Sequence, residues 1–351
     1  MGEYQALLRS DKQILDSIVP LIEIAEIGYD FEKQKVIKTV DEHLELVGKR
    51  VRDKLGCRPC FVDMRHISPA QRMSDGRHPA EHVFNELRSQ SIPAVPVFRL
   101  SQDEALFREL QKCADRDQRG ICLRASLEET SRADFGAAAH SLLRELASSP
   151  SECHFVLDLK TPNFIPVDGL TRLLKELLGR LPHRDAWRSL TLLGTSFPRT
   201  TAEIPLGLSR VERYEWIVYT SLAVLLERAG MRIPRFGDYA IAHPAVILKD
   251  MRYVKPNATV RYTVDNAWLV AKGLNVRDHK FGQYRELCQM IIQSGRFEGK
   301  DYSLGDEYIA DCAVNRASTG ILTTWRWVGT SHHLAKVVRD LSSWSVISSS
   351  L

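Results

Sequence analysis

The sequence has no run of about 18 uncharged apolar residues, the length that a membrane-spanning helix needs. Its best apolar stretches, Ser221–Leu226 and Ala240–Leu248, fall well short, so no membrane association is expected. Met1–Ser10 carries Glu3 and no long apolar segment, which argues against a secretory signal. Neither a Gly-x-Gly-x-x-Gly turn nor a Gly-x-x-x-x-Gly-Lys-Ser/Thr loop follows any apolar run, so the usual nucleotide-binding signatures are missing. A Gly-x-Ser-x-Gly elbow is missing too, which sets aside a serine-nucleophile hydrolase. Cysteine is sparse and odd in number, with 7 residues at positions 57, 60, 113, 122, 153, 288 and 312. Cys57 and Cys60 form one Cys-x-x-Cys, but no second pair completes a four-ligand zinc site. Cys60 opens an apolar run rather than a helix, where a dipole would activate a redox thiol. Reduced thiols in a cytoplasmic protein are the expectation.

What is present is the composition of a folded globular protein: 351 residues, 44% hydrophobic and 26% charged, enough for one large domain or two modest ones. The net charge of +4 is unevenly placed. From Ala245 onward there are 14 Lys and Arg against 10 Asp and Glu, and the remainder holds 34 of each. The last third also carries four of the 6 Trp residues. A basic, aromatic segment of this kind can touch polyanions, although so small an excess is usual for a solvated surface.

Six short apolar runs recur along the chain: Ile18–Ile24, Cys60–Arg65, Ala94–Arg99, Gly120–Arg124, His154–Asp158 and Leu190–Gly194. A seventh, Pro234–Ala240, is less apolar. Their middles are continuously apolar, as expected of parallel strands covered on both faces. Amphipathic helices are predicted between them at Val36–Leu55, Ala80–Gln90, Asp103–Arg116, Arg132–Ala147, Asp168–Leu181 and Arg210–Ala229. The caps expected are Ser101 with Glu104, Asp168, and Gly230. This alternation means repeated βαβ units, in a doubly wound sheet or a (β/α)8 barrel one strand short. Polar residues close most of the strands, namely Glu23, Asp63 with Arg65, Arg99, Arg124, Asp158 with Lys160, Thr195 with Ser196, and Asp238. In a barrel they converge on one mouth, which favours the barrel. After Ala240 the pattern changes to a hairpin (Thr259–Thr263, Asp265-Asn266, Ala267–Lys272), a helix at Gln283–Ser294 and a last helix at about Ser331–Leu341. The fold expected is α/β, a TIM-barrel-like domain over 1–244 that is incomplete at strand 1. An α+β extension over 245–351 would pack on the barrel mouth.

Several motifs together are distinctive: Phe236-Gly-Asp-Tyr-Ala-Ile-Ala-His-Pro244, Ala267–Gly273 with Arg277-Asp-His279, and Thr324-Trp-Arg-Trp-Val-Gly-Thr-Ser-His-His333. Ile18–Ile24 and Asp75-Gly-Arg-His-Pro79 join them. Over nearly its whole length the chain resembles the beta family proteins of bacteria and phages. The resemblance implies an intracellular protein of about this size and, from the family's distribution, a role in phage–host conflict; it implies no established activity. Relatives usually carry one more strand before a Gly-Glu-Tyr segment like Gly2-Glu3-Tyr4. The resemblance therefore implies either an unclosed barrel with edges at Ile18–Ile24 and the last strand, or a covered seam.

Three groups of residues could carry chemistry. The carboxylates Glu23, Asp63, Asp158 and Asp238 are the catalytic candidates, able to hold Mg2+ while Arg65, Arg99, Arg124 and Lys160 clamp a phosphate. The competing reading is a ring of satisfied salt bridges plugging the barrel end. Gly194-Thr195-Ser196 and Phe236-Gly-Asp-Tyr239 would follow strands seven and eight if the implied strand is counted. That is the usual place of phosphate-binding loops, although glycine there can also serve a turn alone. The third group is Arg252, Lys255, Arg261, Lys272, Arg277, Asp278, His279, Trp325, Arg326, His332 and His333. Within it Asp265 and Lys272 faintly resemble a metal-dependent nuclease core. Trp325 and Trp327 would share one face of an extended segment, for packing or for stacking on bases. Adjacent His332 and His333 diverge on a helix and make a poor metal pair. Two functions follow. One is a phosphate-ligand or nucleic-acid binder acting as a metal-dependent phosphodiesterase or nuclease, with Mg2+ as the only cofactor suggested. The other is a non-catalytic sensor or partner-binding subunit using the same pocket.

Overall fold

The computed structural model describes residues 2–30, 32–245 and 255–348, with side chains to residue 343. Arg252 lies outside the described residues. The strands are β1 (Leu21–Glu23), β2 (Cys60–Asp63), β3 (Ala94–Phe98), β4 (Ile121–Ser126), β5 (Cys153–Lys160), β6 (Ser189–Gly194), β7 (Gly207–Glu212), β8 (Arg235–Asp238), β9 (Asn257–Val264) and β10 (Ala267–Asn275). A two-residue ladder, Tyr29–Asp30 with Lys35–Val36, stands apart from these. The fold is mixed α/β, and the chain forms two compact units. One is Val19–Gly194 with Val218–Asp238; the other is Met1–Ile18, Thr195–Ile217 and Tyr239–Leu351. Contacts thus group the chain by several exchanges rather than by one boundary after residue 244.

The first unit carries a seven-stranded parallel sheet in the order β1-β2-β3-β4-β5-β6-β8. All seven apolar runs of the sequence are strands, and their order is sequential. A doubly wound sheet would reverse direction from its middle, so this sequential order is barrel-like. Strands β2 and β3 are buried along their entire length, as their continuous apolar runs indicate for strands covered on both faces. The sheet is curled. Arg124 on β4 touches Glu23 on β1 at 2.6 Å, three strands away, whereas a flat sheet would hold those strands about 14 Å apart. β1 and β8 end the strand order, and no ladder joins them among the described residues. Seven strands are seen where a complete barrel has eight.

The intervening helices are Val47–Leu55, Pro79–Ser89, Glu104–Asp117, Phe135–Glu145 and Val167–Arg180. The third starts later than Ser101 implied, because the Asp103 carboxylate, not Ser101, accepts from Leu106 N–H and caps it. Asp168 lies inside the first turn of its helix, and Pro166 takes the cap position. Before β4, Gly120 has φ +82, and a Cβ there would fall on the Glu152 carbonyl oxygen.

The second unit has an antiparallel sheet in the order β9-β10-β7. The hairpin turns at Asp265-Asn266 as its sequence indicates. β7 was expected to be the start of a helix at Arg210; instead Gly207–Glu212 pairs with β10, and the helix begins at Tyr214. Exposure alternates along most of β7, as a strand's does, although its two apolar residues, Leu208 and Val211, stand three apart and so suit a helix in the sequence. Ala258, Val260, Tyr262 and Val264 face a core completed by Tyr284, Ile291, Ile309 and Trp325 from the helices Tyr284–Gln293, Leu304–Ala313 and Leu322–Ser348.

Candidate functional site

At the C-terminal ends of the parallel strands, Asp63 and Asp158 repeat one local device. Each is followed two residues later by a basic residue, and each carboxylate Oδ1 accepts that residue's backbone N–H, Arg65 at 3.0 Å and Lys160 at 2.9 Å. This Asx turn fixes the side chain and aims Oδ2 inward. Between the two Oδ2 atoms lies the guanidinium of Arg124, only 1% exposed. Its Nη1 donates to Asp63 at 2.9 Å and to Glu23 at 2.6 Å, while Nε and Nη2 donate to Asp158 at 3.0 and 2.7 Å. Arg99 Nη2 adds a 2.5 Å bond to Asp63. Arg65 reaches Glu23 at 3.3 Å, and His66 stands 3.5 Å from the same carboxylate. Burial alone would raise the Glu23 carboxyl; the hydrogen bond from His66 and the charges of Arg124 and Arg65 overcome it and hold it at about 2.

Six of the residues singled out in the sequence are therefore gathered: Glu23, Asp63, Arg65, Arg99, Arg124 and Asp158. Arg124 stands among the three carboxylates, where a divalent cation would have to stand. Among the described residues, no three His, Cys, Asp or Glu side chains are grouped to hold a metal ion. Asp238 ends β8, half-buried beside Gly194, at the other edge of the strand order. The donors that the ring does not consume are on its rim. Arg99 Nε and Gln102 Nε2 are buried without a partner among the described residues, although Gln102 Oε1 holds the Arg99 backbone N–H at 3.1 Å. The Lys160 side chain is exposed. His66 and Gln102 escaped sequence reading because they follow the strands in loops that carry no periodic signal.

The Gly194–Ser196 turn is occupied by the protein's own carboxylate. Ser196 donates to Glu215 through its backbone N–H at 3.1 Å and its hydroxyl at 2.7 Å. Glu215 in turn pairs with buried Arg213 at 3.2 Å. The Thr195 hydroxyl accepts the Phe197 N–H. A carboxylate thus takes the donors that a phosphate would need. Tyr239 follows β8 half-buried.

The C-terminal group is divided. Thr259 pairs with Lys272 and Arg261 with Val270, so Arg261 and Lys272 share one face of the antiparallel sheet. Lys272 Nζ donates to the Ala202 and Ile204 carbonyls at 3.0 and 2.6 Å. Arg261 donates to the Ile241 carbonyl at 2.7 Å and lies 4.6 Å over the Phe197 ring, its guanidinium lowered to about 10 chiefly by burial. Trp325 belongs to the opposite face, stacked 4.4 Å from Tyr284. The Trp325–Trp327 segment is helical rather than extended, so its indoles diverge into packing contacts, and Trp327 meets Tyr308 edge-on. Arg326 pairs with Glu3 at 2.7 Å. Arg277 and His279 are exposed on the short helix Val276–His279, where Asp278 meets Lys255 at 3.4 Å. Asp265 lies in the hairpin turn, and Lys272 is five residues into β10, about 17 Å along the strand from its start. That spacing does not make a nuclease core.

His332 is fully buried, with Nδ1 3.0 Å from Asp306 and Nε2 2.7 Å from the Thr263 carbonyl. Tyr262 also donates to Asp306 at 2.7 Å, and His333 meets the Thr263 hydroxyl at 2.9 Å. These two histidines tie the last helix to β9. The Cys57–Cys60 pair is split as well: Cys57 is exposed, and Cys60 is buried in β2 with its thiol pushed up to about 12.

A family model described as Beta protein matches residues 1–339. No curated protein and no solved structure matches the chain. No helix of the described residues is long and apolar enough to cross a membrane.

Proposed function

The chain belongs to the Beta protein family, and we propose that it is a non-catalytic recognition protein that binds a phosphate-bearing ligand at the C-terminal ends of its parallel strands. One observation carries the reading: Arg99 Nε and Gln102 Nε2 are buried N–H donors without acceptors among the described residues, beside a ring whose three carboxylates are offset by Arg65, Arg99 and Arg124. Buried donors of this kind cost about 1–3 kcal/mol each when unmet, and an anionic ligand would meet them. Lys160, whose side chain is exposed, adds charge at the rim. The frame reads as a (β/α)8-type barrel one strand short, and the site lies where such frames bind ligands.

A metal-dependent phosphodiesterase is the second reading. It needs Glu23, Asp63 and Asp158 to exchange Arg124 for Mg2+, and the buried guanidinium speaks against that exchange. A nucleotide or a nucleic-acid strand is the ligand class that fits both readings, in a phage–host setting. The seven free thiols support a reducing, cytoplasmic compartment.

The test is a panel of nucleotides and labelled DNA and RNA strands titrated across salt. We expect saturable binding that weakens at least tenfold in Arg99→Ala and falls with salt. Binding that is indifferent to Arg99→Ala and to Lys160→Ala would remove the strand ends from the account.

A further inference from the structure

One short stretch of the first unit carries a charge excess as large as that of the whole chain. Lys49–Arg58 holds five Lys and Arg against Asp53 alone, which equals the net +4, and the remaining residues hold 43 of each sign. Most of this stretch is the helix Val47–Leu55, on which Lys49 and Arg50 are exposed and Lys54 is half-buried. Its buried side is Val47, Gly48, Val51 and Leu55. At Gly48 the neighbouring helix Pro79–Ser89 approaches so closely that a Cβ would stand 2.6 Å from the Glu86 carbonyl oxygen. Arg52 donates to the Gln90 carbonyl at 2.9 Å, at the end of that same neighbour. The basic face is thereby held on a fixed support.

Part of this charge serves the fold. Arg52 and Lys54 lie in the last turn, where the helix dipole favours cations, and Arg58 donates to the Leu55 carbonyl at 3.1 Å. Lys49 and Arg50 have no such use. They stand in the first turn, which holds no acid and where the dipole disfavours cations. Arg50 and Lys54 are also four residues apart, a spacing at which like charges destabilise a helix. Lys49, Arg50 and Lys54 make no ion pair among the described residues. On the next two helices the cations are paired, Arg88 with Asp117 at 2.6 Å, and Arg108 with Glu104 and Lys112 with Glu109 at 2.7 Å each. The fold thus leaves Lys49 and Arg50 exposed, uncompensated and at the unfavourable end of their helix.

We propose that this face is a docking surface for the phosphate backbone of a nucleic-acid strand, with Lys49, Arg50 and Lys54 meeting phosphates and no base being read. Charge complementarity selects a polyanion. Residues 46–58 include no Phe, Tyr or Trp, and Leu46 is their one exposed large apolar side chain. A protein partner would need an apolar or aromatic anchor, and a membrane surface an apolar face to bury; a phosphate backbone needs only cations held in place. The proposal does not rest on the reading of the strand ends, since it uses none of their residues.

Labelled DNA and RNA oligonucleotides of unrelated sequences are the probes, titrated with the full-length chain across salt by fluorescence anisotropy. Poly-glutamate and phosphatidylserine vesicles are the comparison ligands. The double variant Lys49→Gln with Arg50→Gln should weaken nucleic-acid binding at least tenfold and equally for every sequence. Its slope of log affinity against log salt should fall by about 2 on duplex DNA, one unit per lost phosphate contact. Both side chains are exposed, so the unfolding midpoint should not change. The charge-conserving pair Lys49→Arg with Arg50→Lys should keep the binding. Affinity and salt slope that survive the Gln pair but fall in Arg99→Ala would belong to the strand ends and overturn the proposal. The absence of salt-dependent binding would overturn it too, as would poly-glutamate or vesicles bound as tightly as nucleic acid at the same salt.

Discussion

Arg124 and Asp158 meet side-on, Nε and Nη2 of the guanidinium both resting on Oδ2 at 3.0 and 2.7 Å, with each side chain at most 2% exposed. Two adjacent strands, β4 and β5, are thereby joined at the end where a ligand is expected, and the same guanidinium reaches Asp63 and Glu23. The consequence is that the acids of the site are structural first.

Replacing Arg124 by Ala leaves Asp63 and Asp158 buried without the cation that Arg124 provides. Breaking a buried pair in this way costs about 3–5 kcal/mol. Chemical denaturation should show that loss. A change below about 1 kcal/mol would mean that the ring is not what holds these strand ends together.

The Glu23 carboxyl is held at about 2 against its ordinary 4.5. A folded value below the unfolded one stabilises the native state above the unfolded value, and that stability is lost as pH falls from about 4.5 to about 2. The contribution is on the order of 3 kcal/mol at neutral pH. Denaturation curves of the protein and of Glu23→Gln should differ most above pH 5 and converge near pH 2. A gap that stays constant through this window would contradict the assignment.

Trp325 is 3% exposed and stacked on Tyr284. Trp325→Ala should cost about 3–5 kcal/mol of stability. Ligand affinity measured below the variant's unfolding transition should not change. A specific loss of nucleic-acid binding with unchanged stability would restore the base-stacking role.

Glu215→Ala should destabilise the fold by about 3 kcal/mol, because Ser196 and Arg213 both converge on that carboxylate. Thermal unfolding of the variant with and without phosphate separates an internal anchor from an anion loop. The anchor predicts that phosphate raises the midpoint of the variant no more than that of the unsubstituted protein.

The parallel sheet was legible because its strands are buried on both faces, which leaves continuous apolar runs with a polar residue at each end. The convergence of Glu23, Asp63, Arg124 and Asp158 was legible for the same reason, since consecutive parallel strands place their ends on one side. The role of Arg124 was not legible: sequence shows that a guanidinium and three carboxylates share an end, but not which one is central. The β7 strand was hidden by Arg210–Glu212, whose spacing suits a helix until its pairing with β10 is seen. Trp325-Arg-Trp327 misled in the opposite direction, because two residues out of step read as an extended face and only tertiary packing reveals the helix. His66, Gln102, Arg213 and Glu215 were missed because their partners are distant in sequence or lie in loops, where no period marks them.

The most direct test of the central claim is to incubate the protein with labelled nucleotides and nucleic acids, with and without Mg2+ or Mn2+, beside Arg99→Ala and Asp158→Ala. The account predicts binding that is sensitive to salt and to Arg99→Ala, with no turnover under any metal condition. Metal-dependent cleavage abolished by Asp158→Ala would contradict it and make the ring a catalytic centre.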